Sequence, residues 1–325
     1  MDKIKHSKFL KKEFRKAPYY LLALKRYYEN KLNYLTDSEE DKAIRAYFEE
    51  LFLEFNFSMN RIIPTYEMNP LEIPLLGICN LNCKGCDAYA PLCKEAQDIY
   101  LPEDILEDLK TLEVKGFRIR EISFEGGEPF LYPFLLEVLT PVRDLFPNTA
   151  LSILTNGTLL EKKENSFYKN LASLNCFLVV DKYFDIPNFE ETIKRIKNLG
   201  VHVELDGCTD QGGWFHRAPL NLREETPLPD EDARHFVQCE KANNIFTLSR
   251  GILYTCGRGW PIRYFNNFFK KHLPEEGIDI KKCDGEEISK KLASPTNLCK
   301  YCQYFSEENM PWTKSECKIE EWADL

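Results

Sequence analysis

Between residues 71 and 205 the chain alternates apolar runs of strand length with amphipathic runs of helix length, and few architectures accommodate that rhythm. The strand-length runs cover 71–78, 118–124, 150–154, 176–180 and 201–205. The helix-length runs between them cover 102–115, 133–145, 162–171 and 188–199. A strand, a crossover helix and a further strand place the two strands parallel. Five or six such units predict an α/β fold with a parallel sheet, open or closed into a partial (βα)6, TIM-like barrel.

Flanking regions read differently. Thr36 to Glu39 form a T-x-x-E capping box, followed at helical spacing by Ile44, Phe48, Leu51, Phe52 and Phe55. Leu21, Leu22, Leu24, Tyr27 and Tyr28 make an earlier apolar stripe. Residues 1–70 are therefore expected to be a helical N-terminal extension and 71–235 the barrel. After Cys208, Gln211-Gly212-Gly213-Trp214 and the proline-bearing 224–229 break into loops. Residues 244–256 predict a hairpin turning at Ser249-Arg250-Gly251, inside a third region, 236–325.

A formal charge of −9 argues against nucleic acid, because phosphate binding needs clustered Lys and Arg. No apolar run approaches the ~20 residues that span a bilayer, and the basic start lacks an apolar signal core, so a cytoplasmic protein is expected. The twelve cysteines, in such a compartment, point to metal or redox chemistry before disulfides.

Three of them lie within eight residues. Cys79, Cys83 and Cys86 have the spacing C-x3-C-x2-C in a loop after the first predicted strand. Parallel α/β enzymes build their sites at that edge. Three thiolates on a [4Fe–4S] cluster leave one iron open to a ligand. Zinc is the competing occupant, and it usually wants four ligands from paired C-x2-C or C/H spacings.

The loop resembles that of the radical S-adenosylmethionine (SAM) superfamily. In that family the open iron holds SAM, and one electron splits the sulfonium to a 5′-deoxyadenosyl radical that abstracts hydrogen from substrate. Gly126, Gly127, Glu128 and Pro129 resemble the family's GGEP motif, which implies contact with the SAM amino group. Thr155 and Asn156, ending the third strand, and Asp181 and Lys182, ending the fourth, are implied SAM contacts. Many relatives carry an aromatic residue just before the third cysteine; here that position is Gly85, and Tyr89 is the substitute ring.

Cys239, Cys256, Cys299 and Cys302 form a second set around the predicted hairpin. They resemble the family's twitch extension, a shortened SPASM domain with an auxiliary [4Fe–4S] cluster, although four thiols also suit zinc. Together with the core motifs, they look like bacterial radical SAM proteins associated with surface polysaccharides and like the aminoglycoside-pathway dehydrogenase acting on 2-deoxy-scyllo-inosamine. The resemblance implies oxidation of a carbohydrate or polyol, with the second cluster taking an electron and flavodoxin or ferredoxin as reductant. Trp214 and Phe215, beside His216 and Arg217, suit stacking and hydrogen bonding to a sugar, and His216 or Arg217 is a candidate base. Epimerisation, with Cys208 as hydrogen donor, and peptide modification are the alternatives.

Overall fold

In β1 (Leu71–Leu76) all but one side chain is buried, as expected for a strand covered on both faces. The computed structural model describes residues 64–94, 98–206, 214–223, 235–236, 239, 241–303 and 308–325. The predicted helices before residue 64, and Cys208, lie outside them.

From β1 the chain runs through α1 (Pro102–Val114), β2 (Glu121–Gly126), α2 (Leu135–Leu145), β3 (Ala150–Thr155), α3 (Asn165–Ser173), β4 (Cys176–Asp181), α4 (Phe189–Asn198) and β5 (Val203–Asp206). Each strand pairs parallel with its predecessor, so β1 to β5 lie in sequence order. The expected α/β alternation is present with boundaries shifted by up to three residues. The helix ends follow local chemistry. In α1, Pro102 opens the helix with Glu103 and Asp104 in its first turn, which suits the missing N–H of proline and the positive helix end. In α4, Glu190 and Glu191 start the helix and Arg195 and Lys197 finish it.

Fully buried Leu71, Ile73, Ile122, Phe124, Leu151, Ile153, Leu178 and Val180 make the sheet side of the core. Leu109 and Leu112 from α1, and Val138 and Val142 from α2, pack within the same cluster. Each such side chain contributes about 1.5–3 kcal/mol on leaving water. This packing sets where the strand ends fall.

The predicted hairpin is present as β6 (Phe246–Ser249) and β7 (Ile252–Tyr254). Arg250 and Gly251 turn with φ of 50° and 75°, the paired positive φ values that a two-residue turn between twisted strands requires. The hairpin does not stand apart from the barrel sheet. Phe246 and Thr247 of β6 pair parallel with Leu71 and Glu72 of β1, and β8 (Ile278–Asp279) pairs with β7. The order is thus β8-β7-β6-β1-β2-β3-β4-β5, with the sixth parallel strand beside β1 and not beyond β5. Trp214–Arg217 instead pairs antiparallel with Glu308–Pro311. Next come α5 (Ile262–Phe269) and α6 (Gly285–Leu292). A second core of Leu220, Trp260, Ile262, Phe265 and Trp322 packs this C-terminal region against Tyr89 and Leu92, just after the cysteine loop.

Candidate active site

The loops after β1, β2, β3 and β4 meet at one end of the sheet around a cavity of about 410 Å³. Cys79, Cys83 and Cys86 open onto it from the first loop. Gly126 and Gly127 border it from the second, Thr155 and Asn156 from the third, and Asp181 from the fourth. Cys239, Cys256 and Cys302 border the same cavity, and Cys299 joins these three around an adjoining void of about 40 Å³.

The first loop is held from both sides. A Cβ on Gly127 would stand 1.8 Å from the Ile78 carbonyl oxygen, so only glycine lets the second loop lie against the first. The Gly127 and Glu128 amides donate to Leu76 and Ile78 carbonyls at 2.8 and 3.0 Å. On the other flank the C-terminal segment closes in. Lys84 N donates to Thr313 O at 3.0 Å and Ser315 N to Asn82 O at 2.8 Å. Trp322 Nε1 donates to Cys86 O at 2.9 Å, and Trp312 Nε1 to Cys83 Sγ at 3.1 Å. Cys79 Sγ accepts from Leu81 N at 3.3 Å and from Asn156 Nδ2 at 3.6 Å.

Burial pushes the Cys79 thiol up to about 12 and the Cys86 thiol to about 11, and it raises Cys83 as well. Each of Cys79 and Cys83 is raised further by the charge of Cys86, so the three sense one another across the cavity. In the second set, burial raises Cys256, and Cys239, Cys299 and Cys302 add to the effect. Burial pushes Cys299 up to about 12. Bare buried thiolates are costly. Soft thiophilic iron offsets that cost when the thiols give up their protons to bind it.

Among the described residues no three His, Cys, Asp or Glu side chains converge on a single ion. A tetrahedral zinc with bonds of about 2.3 Å holds its sulfurs about 3.8 Å apart. A four-iron cube spreads its ligands wider, and the thiols of Cys79, Cys83 and Cys86, which face one cavity, suit it with one iron left open.

The remaining expected residues fall in two groups. Thr155 and Asn156 border the cavity, yet both also grip Glu128. The buried Glu128 carboxylate accepts from Thr155 Oγ1 at 2.7 Å, Asn156 N at 3.0 Å and Phe130 N at 3.0 Å. It straps the second loop to the third and does not line the cavity. Lys182 pairs with Asp185 at 3.5 Å, outside the lining. Tyr89 is buried against Phe265 and Trp322 in the second core. Gly85 adopts φ 71°, a conformation that disfavours the aromatic residue common at that position. His216 and Arg217 are in the strand Trp214–Arg217, and their side chains lie outside the description.

Other residues of the cavity wall were not among the expected site residues, although Glu125 and Tyr183 adjoin the stretches that supplied them. Glu72, Glu125, Tyr183, Lys241 and Arg258 all border it. Glu72, Lys241 and Arg258 stand alone in sequence and are brought in by strand register or by the hairpin.

Comparison with known proteins agrees with this geometry. Residues 73–227 match the Radical SAM superfamily. The GTP 3′,8-cyclase of Microcystis aeruginosa is 31% identical over 107 residues, 32% of this chain and 32% of that protein. The Streptomyces coelicolor GTP 3′,8-cyclase is 34% identical over 92 residues, 28% and 27% of the two chains. The chain thus spans about a third of the length of the curated relatives it matches. Among solved structures, BtrN in complex with AdoMet and 2-DOIA aligns over 72% of this chain and 92% of its own, at 17% identity and a TM-score of 0.45. Residues 73–227, just under half of the chain, therefore make up a radical SAM domain, the kind of domain that works with a [4Fe–4S] cluster and SAM.

Proposed function

We propose that the chain is a radical SAM dehydrogenase that oxidises a carbohydrate or polyol, with a second [4Fe–4S] cluster on Cys239, Cys256, Cys299 and Cys302 as electron acceptor. The observation that carries this reading is the shared cavity, bordered at once by Cys79, Cys83 and Cys86 and by Cys239, Cys256 and Cys302. A substrate there touches both sites. Its volume of about 410 Å³ falls in the range of small-ligand pockets.

When bound, the first cluster and SAM supply a hydrogen-atom acceptor. The chain's own residues position and discriminate. Asn156 and Trp312 orient Cys79 and Cys83 through hydrogen bonds to their sulfurs. Asp181, held by the Tyr183 hydroxyl at 3.1 Å, offers an acceptor to a hydroxyl or to SAM. Flavodoxin or ferredoxin is the expected reductant. No helix among the described residues is long and apolar enough to cross a membrane.

The test is anaerobic reconstitution of the full chain, followed by incubation with SAM, a reductant and panels of polyols, sugars, peptides and GTP. About 8 iron per chain, and 5′-deoxyadenosine formed one-for-one with a ketone, are expected for two clusters. A cyclised nucleotide from GTP, a cross-linked peptide, or an inverted centre without net oxidation would each replace the dehydrogenase reading. The last outcome, lost in Cys208→Ala, would select an epimerase.

A further inference from the structure

Two carboxyl groups face the cavity between the cysteine sets. Glu72 is on β1 and Glu125 on β2, where Pro74 is the register partner of Glu125. Glu72 is in register with Ser123, two residues before Glu125, so the two carboxyls stand on one face of adjacent strands, a diagonal step apart. Both border the cavity. Thr247 of β6 donates its hydroxyl to Glu72 Oε2 at 2.8 Å, so the hairpin flanked by Cys239 and Cys256 also fixes one member of the pair. A Cβ on Gly257 would stand 3.0 Å from the same Oε2, so the residue after Cys256 leaves it room.

A second observation points to a ligand at this wall. Arg258 borders the same cavity and is 8% exposed. Its Nη2 is held by Asp87 at 2.8 Å and by the Ala218 carbonyl, and Nη1 reaches Cys302 Sγ at 3.7 Å. Its buried Nε has no hydrogen-bond partner. A buried donor left open costs about 1–3 kcal/mol, and a bound acceptor oxygen would remove that cost. The wall therefore asks for a ligand that accepts at Arg258 and donates at the glutamates. A polyhydroxylated carbon chain or ring does both.

We propose that Glu72 and Glu125 are the proton-accepting pair of this cavity, and that Glu125 takes the hydroxyl proton of the substrate as its carbinol is oxidised. This rests on the dehydrogenase reading above. The balance is complete with the cofactors already named. With SAM bound, one electron from the reductant would break its C5′–S bond and release methionine, the freed 5′-deoxyadenosyl group would take the carbinol hydrogen atom, and the hydroxyl proton passes to Glu125. The remaining electron goes to the second cluster, and C–OH becomes C=O.

Burial raises both carboxyl pKa values, and the charge of Glu72 lifts Glu125 further. Neighbouring buried carboxylates resist double ionisation, so Glu125 gives up its proton only above the range of an isolated glutamate. Lys241 and Asp181 are the charged groups that face the pair; Lys241 favours ionisation and Asp181 opposes it. Once ionised, a carboxylate raised in this way is a stronger base than an isolated glutamate.

The test uses reconstituted holoenzyme and substrate deuterated at the carbinol carbon. Glu125→Gln and Glu72→Gln preserve shape. In Glu125→Gln, deuterium still enters 5′-deoxyadenosine while ketone formation falls at least about 100-fold. Glu125→Asp recovers part of the ketone. The wild-type rate rises with pH through one ionisation above the ordinary carboxylate range, and Glu72→Gln moves that ionisation lower. Infrared spectroscopy supplies a readout independent of turnover: wild type shows one protonated-carboxyl band that titrates away over the pH range in which the rate rises, and Glu125→Gln lacks it. Unchanged ketone yield, equal loss of deuterium transfer and ketone, or no such band overturns the pair. Failure of the wild type to oxidise any polyol, with the band present, overturns the dehydrogenase reading and with it the role of Glu125 as hydroxyl base.

Discussion

The two cysteine sites share a cavity but are assembled in opposite ways. Cys79, Cys83 and Cys86 come from one loop, so most of their arrangement is local. Cys239, Cys256, Cys299 and Cys302 come from separate segments and meet through the β6–β7 hairpin, the turn Asn297–Lys300 and the second core. A local site writes its whole ligand spacing into the sequence, while a site built by tertiary contacts writes only part of it, here the C-x2-C of Cys299 and Cys302. The sulfurs of each set also receive side-chain nitrogen donors from another segment, Asn156 on Cys79 and Trp312 on Cys83 in the first and Arg258 on Cys302 in the second. Of these, Trp312 and Arg258 form a pair for comparison.

The sharpest way to break the comparison is to delete one ligand from each set. Cys83→Ala is expected to abolish 5′-deoxyadenosine formation, a loss of at least about 10⁴-fold, because the open iron needs the three thiolates. Cys256→Ala is expected to leave SAM cleavage within about tenfold of wild type while ketone formation disappears. Iron analysis should give about 4 per chain in either variant. If Cys256→Ala also stops SAM cleavage, the two sites are one structural unit and the division of labour fails.

Legibility in the sequence follows the same division. The alternation from Leu71 onward, the C-x3-C-x2-C loop and Gly126-Gly127 were readable because each depends on neighbours in sequence. The turn at Arg250-Gly251 was readable for the same reason. The position of β6 beside β1 was not, since parallel pairing with a strand some 170 residues earlier leaves no periodic trace. Glu128 was expected to face SAM, yet its carboxylate is spent on Thr155, Asn156 and Phe130. Motif and register fix where that residue lies, but side-chain packing decides what its oxygens bind. Trp312 and Glu72 were invisible because their partners, Cys83 and Thr247, are distant in the chain.

A finer comparison concerns the two nitrogen donors. Hydrogen bonds to cluster sulfurs raise the reduction potential by favouring the more negative state. Trp312→Phe keeps the ring beside Phe184 and removes only the donor to Cys83. It is expected to lower the potential of the first cluster by tens of millivolts and leave the second unchanged, as read by EPR-monitored redox titration. Arg258→Gln should do the reverse, with the larger shift because a positive charge is lost. Equal shifts at both clusters in either variant would show that the sites are electrostatically one.

The smallest expected effect lies on the wall the sites share. Glu125 is raised well above the usual value of 4.5 in the folded chain by burial and by Glu72, with Lys241 pulling it down and Asp181 adding to the rise. A carboxyl whose folded pKa exceeds its unfolded one binds its proton more tightly in the native state. It therefore adds stability that is complete below about 4.5 and is lost as pH climbs to the raised value. Each unit of displacement is worth about 1.4 kcal/mol, roughly 2–4 °C in Tm at most for a chain of this size. Glu125→Gln cannot ionise, so its melting temperature should fall less than that of wild type between acid and neutral pH. Parallel Tm slopes for wild type and Glu125→Gln would mean that the pair ionises freely. The β1–β2 wall would then be as wet as the surface, and the low-dielectric contact between the two cysteine sites would be lost.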